Sequence, residues 1–383
     1  MLNFDYQNVT RILFGRGQIA ELGNLLSQKK VLLIAGGGSI QKNGVLAQVK
    51  AALANNQLLE FWGVEPNPEF DTLMRAVEIA KKENVDFLLA VGGGSVADGT
   101  KFIAAAAKTQ SDPWDILEKS APVSTAIPMG VVLTLPATGS ESNPTAVISR
   151  RSTGQKLHFG TPHCQPVFAI LDPETTYSLP PRQVSNGIVD TFVHVMEQYL
   201  TYPANGTLQD RLAEGLLQTL VEQGPLALAQ PNDYEVRATL MWTSTLALNG
   251  LVGQGVPQDW ATHMIGHQLT ALCNIDHART LACVLPAVMD YKRDKKRDKI
   301  LQYGARVFGL TVGDMTARID QTIEKTRQFF DSVGTSPKLT SYGFSAAQIP
   351  QIIAGLERDG LTRLGEHGDI TPTDAAKILE LAL

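Results

Sequence analysis

Asp190 and His194 lie four residues apart in SNGIVDTFVHVMEQYL, and His263 and His267 repeat that spacing in DWATHMIGHQLTAL, ahead of His277 in NIDHART. On a helix, residues i and i+4 project from one face one turn apart, so each pair can offer two donors to a single point. A divalent cation needs three or four nitrogen or oxygen donors converging at about 2.0–2.2 Å, and two facing helices supply them economically. Carboxylate plus imidazole suits Fe²⁺ or Zn²⁺ rather than Mg²⁺ or Ca²⁺, which prefer all-oxygen shells. Five candidates compete for four places in a tetrahedral shell, which leaves one of them for a supporting or catalytic role. The other histidines, His158, His163 and His367, fall outside the cluster and read as surface or loop residues.

Two GGGS tetrapeptides, at residues 36–39 and 92–95, each follow a short apolar run. Neither is the GxGxxG fingerprint. Consecutive glycines at a strand end still let the backbone approach a pyrophosphate, and the next helix offers free N–H groups and the positive end of its dipole. Ser95 adds a hydroxyl, and Asp98 suits a helix cap, an orienting partner for Ser95, or an acceptor for cofactor or substrate. A carboxylate that would accept the 2′-OH of NAD is missing near the first turn, since no Asp or Glu occurs between residues 23 and 59. Gln41 and Lys42 follow that turn instead, so NADP(H) is favoured. A third turn, TLPATGSESN at residues 134–143, supplies further hydroxyls and an amide.

These turns need a parallel sheet behind them. Residues 31–35 (VLLIA), 87–91 (FLLAV) and 130–135 (GVVLTL) read as buried strands, 9–14 (VTRILF) as another, and 73–83 as a crossover helix. After the LPP punctuation at residues 179–181, β-branched runs almost vanish. Apolar recurrence at i, i+3 and i+4 then marks helices over 183–199, 209–222, 234–249, 263–272, 299–307 and 315–333. The expected architecture is α/β plus all-α: a Rossmann-like dinucleotide-binding domain over residues 1–178 and an all-helical metal-binding domain over 179–383.

With 383 residues, 44% hydrophobic and 19% charged, the chain can bury two sizeable cores. A net charge of -5 gives no basic field for nucleic acid or anionic membranes. The apolar runs fall well short of the ~20 residues a membrane span needs. Three cysteines without CxxC spacing, and a first segment unlike a secretory leader, point to a reducing cytoplasm.

Taken together, the two glycine turns, TLPATGSESN, the DxxxH of Asp190 and His194, and HxxxH followed by His277 resemble the iron-containing alcohol dehydrogenase family. The branch they resemble comprises NADPH-dependent aldehyde reductases and butanol dehydrogenases, and the likeness runs from TRILFG to the GDITPTDAAKILELA tail. It implies a dehydroquinate synthase-like fold, metal ligation by Asp190, His194, His263 and His277, and a place for His267 near nicotinamide and substrate. Carried over in the same way, Gly37, Gly38, Ser39 and Asn67 meet the adenosine end of the cofactor. Gly93, Gly94, Ser95 and Asp98 face the pyrophosphate, and Thr134, Thr138, Asn143 and Lys156 the middle and nicotinamide end. The implied reaction interconverts short- to medium-chain aldehydes and alcohols with NADP(H), using Fe²⁺ or Zn²⁺, in a homodimer built through the N-terminal strands. A polyol dehydrogenase of the same superfamily is the alternative. A metal hydrolase would leave both glycine turns unexplained and lacks HExxH, and a regulatory nucleotide binder would have no use for a full ligand set.

Overall fold

The computed structural model describes residues Met1–Leu383. Its strands are β1 (Arg11–Phe14), β2 (Lys30–Ala35), β3 (Gln57–Trp62), β4 (Phe87–Gly93), β5 (Met129–Leu135), β6 (Thr145–Arg150), β7 (Gln155–Gly160) and β8 (Phe168–Leu171). Six of them form one parallel sheet in the order β1-β8-β5-β4-β2-β3, while β6 and β7 pair as a separate antiparallel hairpin. Alternate residues serve opposite faces. Val31, Leu33 and Ala35 of β2 join one core with Val45 and Val49, and Leu32 and Ile34 join another with Leu73 and Phe102. A strand covered on both sides has to be apolar throughout, which is why these runs lack the alternation of a half-exposed strand. Between and around the strands lie α1 (Leu22–Leu25), α2 (Ser39–Lys42), α3 (Val45–Ala52), α4 (Phe70–Lys82), α5 (Gly94–Ala106) and α6 (Asp115–Glu118).

The rest is helical: α7 (Pro181–Tyr199), α8 (Thr207–Ala229), α9 (Tyr234–Leu248), α10 (Ala261–Cys273), α11 (His277–Tyr291), α12 (Arg297–Val307), α13 (Met315–Ser332), α14 (Ile349–Arg358) and α15 (Pro372–Leu381). No helix is long and apolar enough to cross a membrane. Pro181 opens α7 at a position where a missing N–H costs nothing, and from Gly187 to Tyr199 every residue of that helix is buried. Such a helix is the centre of its unit rather than part of its surface.

Packing divides the chain into a sheet unit, Gln7–Leu179 with Asn232–Thr245, and a helical unit, Met1–Tyr6 with Pro180–Pro231 and Leu246–Leu383. A single cut at residue 179 therefore leaves two short segments with the wrong neighbours. Met241 of α9 is buried in a core of the sheet unit, and the Thr245 hydroxyl donates to the buried Glu141 carboxylate at 2.5 Å. At the other end, Leu2 N–H donates to the Gly255 carbonyl at 2.8 Å.

Candidate active site

In the sheet unit, the order of strands sets where a ligand can lie. From β2 the chain moves outward to β3, then crosses back to β4 on the other side of β2 and continues to β5. The connections thus diverge between β2 and β4, and open α/β sheets bind ligands outside the strand ends at such a switch point. Both GGGS turns leave the sheet there. Gly38, with φ +96, turns β2 into the short helix α2, whereas Gly92 and Gly93 still belong to β4 and Gly94 opens the long α5.

Residues assigned by resemblance to opposite ends of a cofactor meet in one constellation. Lys156 Nζ donates to Asn67 Oδ1 at 2.9 Å, and Asn67 N–H donates to Ser95 Oγ at 3.3 Å. Asn67, in a left-handed turn with φ 58, therefore stands with Ser95 and Lys156. Asp98 has a different task from those expected of it. It neither caps α5, whose N-cap is Gly93, nor bonds Ser95. Instead Oδ1 accepts from Ser140 Oγ at 2.5 Å and Oδ2 from Val147 N–H at 3.0 Å, which fastens the 138–143 turn and β6 to α5. Lys101, one turn further along and wholly buried, completes the fastening. Its Nζ donates to Ser140 Oγ at 2.8 Å, Asn143 Oδ1 at 3.0 Å and the Thr145 carbonyl at 2.6 Å. Burial pulls this ammonium down to about 8, against the opposing pull of Asp98 and Glu141. Thr138 Oγ1 accepts from Ser140 N–H at 3.2 Å, and Thr134 is buried at the end of β5.

The helical unit gathers the carboxylate and imidazoles. His194, His263 and His277 direct Nε2 toward Asp190 Oδ1 at 3.6, 3.8 and 3.9 Å. These separations are too long for hydrogen bonds and lie at or a little beyond the roughly 3.3–3.6 Å that bonds of 2.0–2.2 Å in a tetrahedron put between donors. One donor atom each of Asp190, His263 and His277 lies within 4.8 Å of the other two, a group that does not include His194. Asp190 Oδ1 and His263 Nε2 are buried and without a hydrogen bond, a costly state for polar atoms unless something else satisfies them. The residues present fit a divalent metal. His267 stands alongside, its ring 5.0 Å from that of His277 and 6.2 Å from that of His263. His158, His163 and His367 are exposed, as their positions in the sequence suggest.

Local structure explains the convergence. α10 and α11 are joined by three residues, with Asn274 at φ 55 making the turn, so His277 is the first residue of its helix. Gly266 lets these helices approach: a Cβ there would lie 2.8 Å from Thr280 Oγ1. Asp276 accepts from Arg182 Nε at 2.8 Å and Asn186 Nδ2 at 3.0 Å, which ties the start of α11 to α7.

Glu197 was not among the sequence candidates. It follows Asp190 by seven residues and His194 by three, and so shares their face of α7. Its Oε2 bonds His263 Nδ1, and Oε1 accepts from Thr262 N–H at 2.6 Å. A carboxylate behind a ligating imidazole fixes ring and tautomer and leaves Nε2 to face the cation. Burial alone would depress His263, yet Glu197 outweighs it and, with Asp190, pushes the imidazole up to about 9. Without metal, a proton is drawn to where positive charge is wanted.

Two adjoining family profiles match this chain: iron-containing alcohol dehydrogenase over residues 9–173, and the C-terminal part of the Fe-containing alcohol dehydrogenase family over 184–365. The NADPH-dependent aldehyde reductase YqhD of Escherichia coli is 55% identical, with 100% of each chain covered. A crystal structure of E. coli K-12 YqhD superposes with a TM-score of 0.99 at 55% identity, over 100% of this chain and 99% of that one. The structure of NADH-dependent butanol dehydrogenase A from Thermotoga maritima gives 0.96 at 35% identity, again over 100% and 99%. On matches that span both units, the chain belongs to the iron-containing alcohol dehydrogenase family.

Proposed function

We propose that this protein is an NADPH-dependent aldehyde reductase whose metal, Fe²⁺ or Zn²⁺, is held by Asp190, His194, His263 and His277. The observation that carries the reading is the convergence of three imidazole Nε2 atoms on one buried carboxylate oxygen. The identity to an aldehyde reductase supports the reaction class. When bound, the metal supplies Lewis-acid polarisation of an aldehyde carbonyl and the reduced nicotinamide supplies hydride. Glu197 holds the proton on His263 Nδ1 and so keeps Nε2 as a donor to the cation. His267, beside His277, holds the proton that the product oxygen takes up. The sheet unit carries the dinucleotide, with Gly37, Gly38, Ser39, Gly93, Gly94, Ser95, Thr134, Thr138 and Asn143 lining its path, and the helical unit carries the metal.

Preference for the phosphorylated cofactor is supported at Gly37, where no carboxylate stands and a Cβ would meet nothing within 4 Å. β1 has β8 on one side only, and we assign its free edge to a homodimer. The three unpaired thiols agree with a reducing cytoplasm.

The test is nicotinamide absorbance after adding butanal to purified protein and NADPH, with metal analysis on the same preparation. Turnover with NADPH and about one metal per chain are expected. His263→Ala or His277→Ala should lose both metal and turnover while still binding NADPH. His267→Ala should keep its metal and lose about 10²–10⁴-fold in kcat. Full metal content and activity in His263→Ala would sink the ligand assignment, and vicinal diols turning over in preference to butanal would favour a polyol dehydrogenase.

A further inference from the structure

One buried ammonium in the helical unit touches both ligand-bearing segments. Lys296, just before α12, donates from Nζ to the carbonyl of Leu200 at 2.7 Å and to Glu366 Oε1 at 2.7 Å, and pairs with Asp259 Oδ2 at 2.7 Å. Its side chain is 1% exposed, with Asp259 and Glu366 at 6% and 3%, so all three N–H donors are spent inside the protein. Leu200 is the C-cap of α7, the helix that carries Asp190, His194 and Glu197. Asp259 lies two residues before α10, its Oδ1 accepting from Ala261 N–H at 2.9 Å and its own N–H donating to the Glu197 carbonyl at 2.8 Å.

Between Asp259 and Ala261 the backbone is strained. Trp260 sits at φ 66, a left-handed conformation that a large side chain rarely adopts unless its surroundings impose it. Its ring packs edge-on against His263, with centroids 5.3 Å apart, and lies 6.3 Å from His194. A buried ion cluster adds little net stability, because desolvating the charges offsets their attraction. What it does supply is fixed geometry.

We infer that Lys296 is a positioning residue: by clamping Asp259 and Glu366 to the end of α7, it sets α10 at the distance and rotation that bring His263 Nε2 to Asp190 Oδ1. It touches none of the four ligands and acts through Asp259 and the strained turn at Trp260. The inference rests on those four residues holding a divalent cation.

Co²⁺ is the probe, because its visible absorption reports donor geometry and its affinity can be measured by competition with a chelator on the full chain. Wild-type protein should bind Co²⁺ with a tetrahedral-type spectrum. Lys296→Met should bind it about tenfold or more weakly, with altered band intensities, while NADPH binding and far-ultraviolet circular dichroism stay unchanged. Glu366→Gln, which keeps an acceptor for Nζ, should move in the same direction by less, and it decides the matter if Lys296→Met does not fold. A lower melting temperature with wild-type cobalt affinity and spectrum in the folded variants would overturn the positioning role. Wild-type protein that binds no Co²⁺ would instead overturn the metal site, and the clamp with it.

Discussion

The same four letters, GGGS, build two different turns. At residues 92–95 the glycines are required by what lies against them: a Cβ on Gly92 would be 2.5 Å from Val96 Cγ2, on Gly93 2.9 Å from Leu135 Cβ, and on Gly94 2.4 Å from Thr138 Oγ1. At residues 36–39 the surroundings are open. Gly37 has nothing within 4 Å, Gly36 meets only the Val64 carbonyl at 3.2 Å and Val96 beyond it, and Gly38 is fixed by its φ of +96 rather than by crowding. One turn is a packing joint between β4, β5 and α5; the other is a gap left beside the backbone. Identical sequence thus carries two meanings, and the neighbours that separate them lie up to some forty residues away along the chain.

The largest expected effect is at the packed turn. Gly94→Ala forces a methyl into Thr138, and overpacking of this kind costs up to about 3 kcal/mol, read as a fall in the urea midpoint, with NADPH binding lost as the 138–143 turn shifts. A stable Gly94→Ala protein with normal cofactor affinity would erase the contrast. At the open turn, Gly37→Asp should leave the urea midpoint where it is while moving cofactor preference from NADPH toward NADH by about 1–3 kcal/mol in kcat/KM, since a carboxylate repels the 2′-phosphate and accepts from a free 2′-OH. Unchanged selectivity there would mean that the 2′ position lies elsewhere. Adding Thr138→Ala to Gly94→Ala removes the two closest atoms and should recover about 1 kcal/mol, a coupling that a double-mutant cycle would detect. Smallest of all is Gly37→Ala, for which stability within about 0.5 kcal/mol of wild type is expected. A larger loss would show that this turn, too, is packed.

Burial along a single helix face or a longer apolar run was legible in the sequence; burial of a very short strand, or burial conferred by a distant partner, was not. The run at 31–35 lies within β2, and 183–199 within α7, because the apolar pattern itself demands those elements. The spacing of Asp190 and His194 foretold a shared face for the same reason. β3, β6, β7 and β8 went unread: β8 is wholly buried but only four residues long, and the apolar residues of β3, β6 and β7 are mixed with polar ones in runs too short to tell a strand from a helix segment. Glu197 looks like any carboxylate on a helix until α10 arrives to bond it. KRDKKRDK, at residues 292–299, has the composition of a solvated charge run, yet Lys292, Lys296 and Lys299 are all buried. Their spacing of four and three puts them on one side of the chain, and the carboxylates that receive Lys292 and Lys296 include Asp369 and Glu366 in a loop far along the sequence.

The interleaved assignment of segments to units bears on how the protein is made. The sheet unit draws its last element from α9, with Met241 in its core and Thr245 on the buried Glu141, although α7 and α8 are synthesised first. A nascent chain stalled after β8 would hold an incomplete core and an unmet buried carboxylate. The sheet unit is therefore complete only once residue 245 has been made, and cleavage at residue 179 would release two fragments that each lack a piece of themselves.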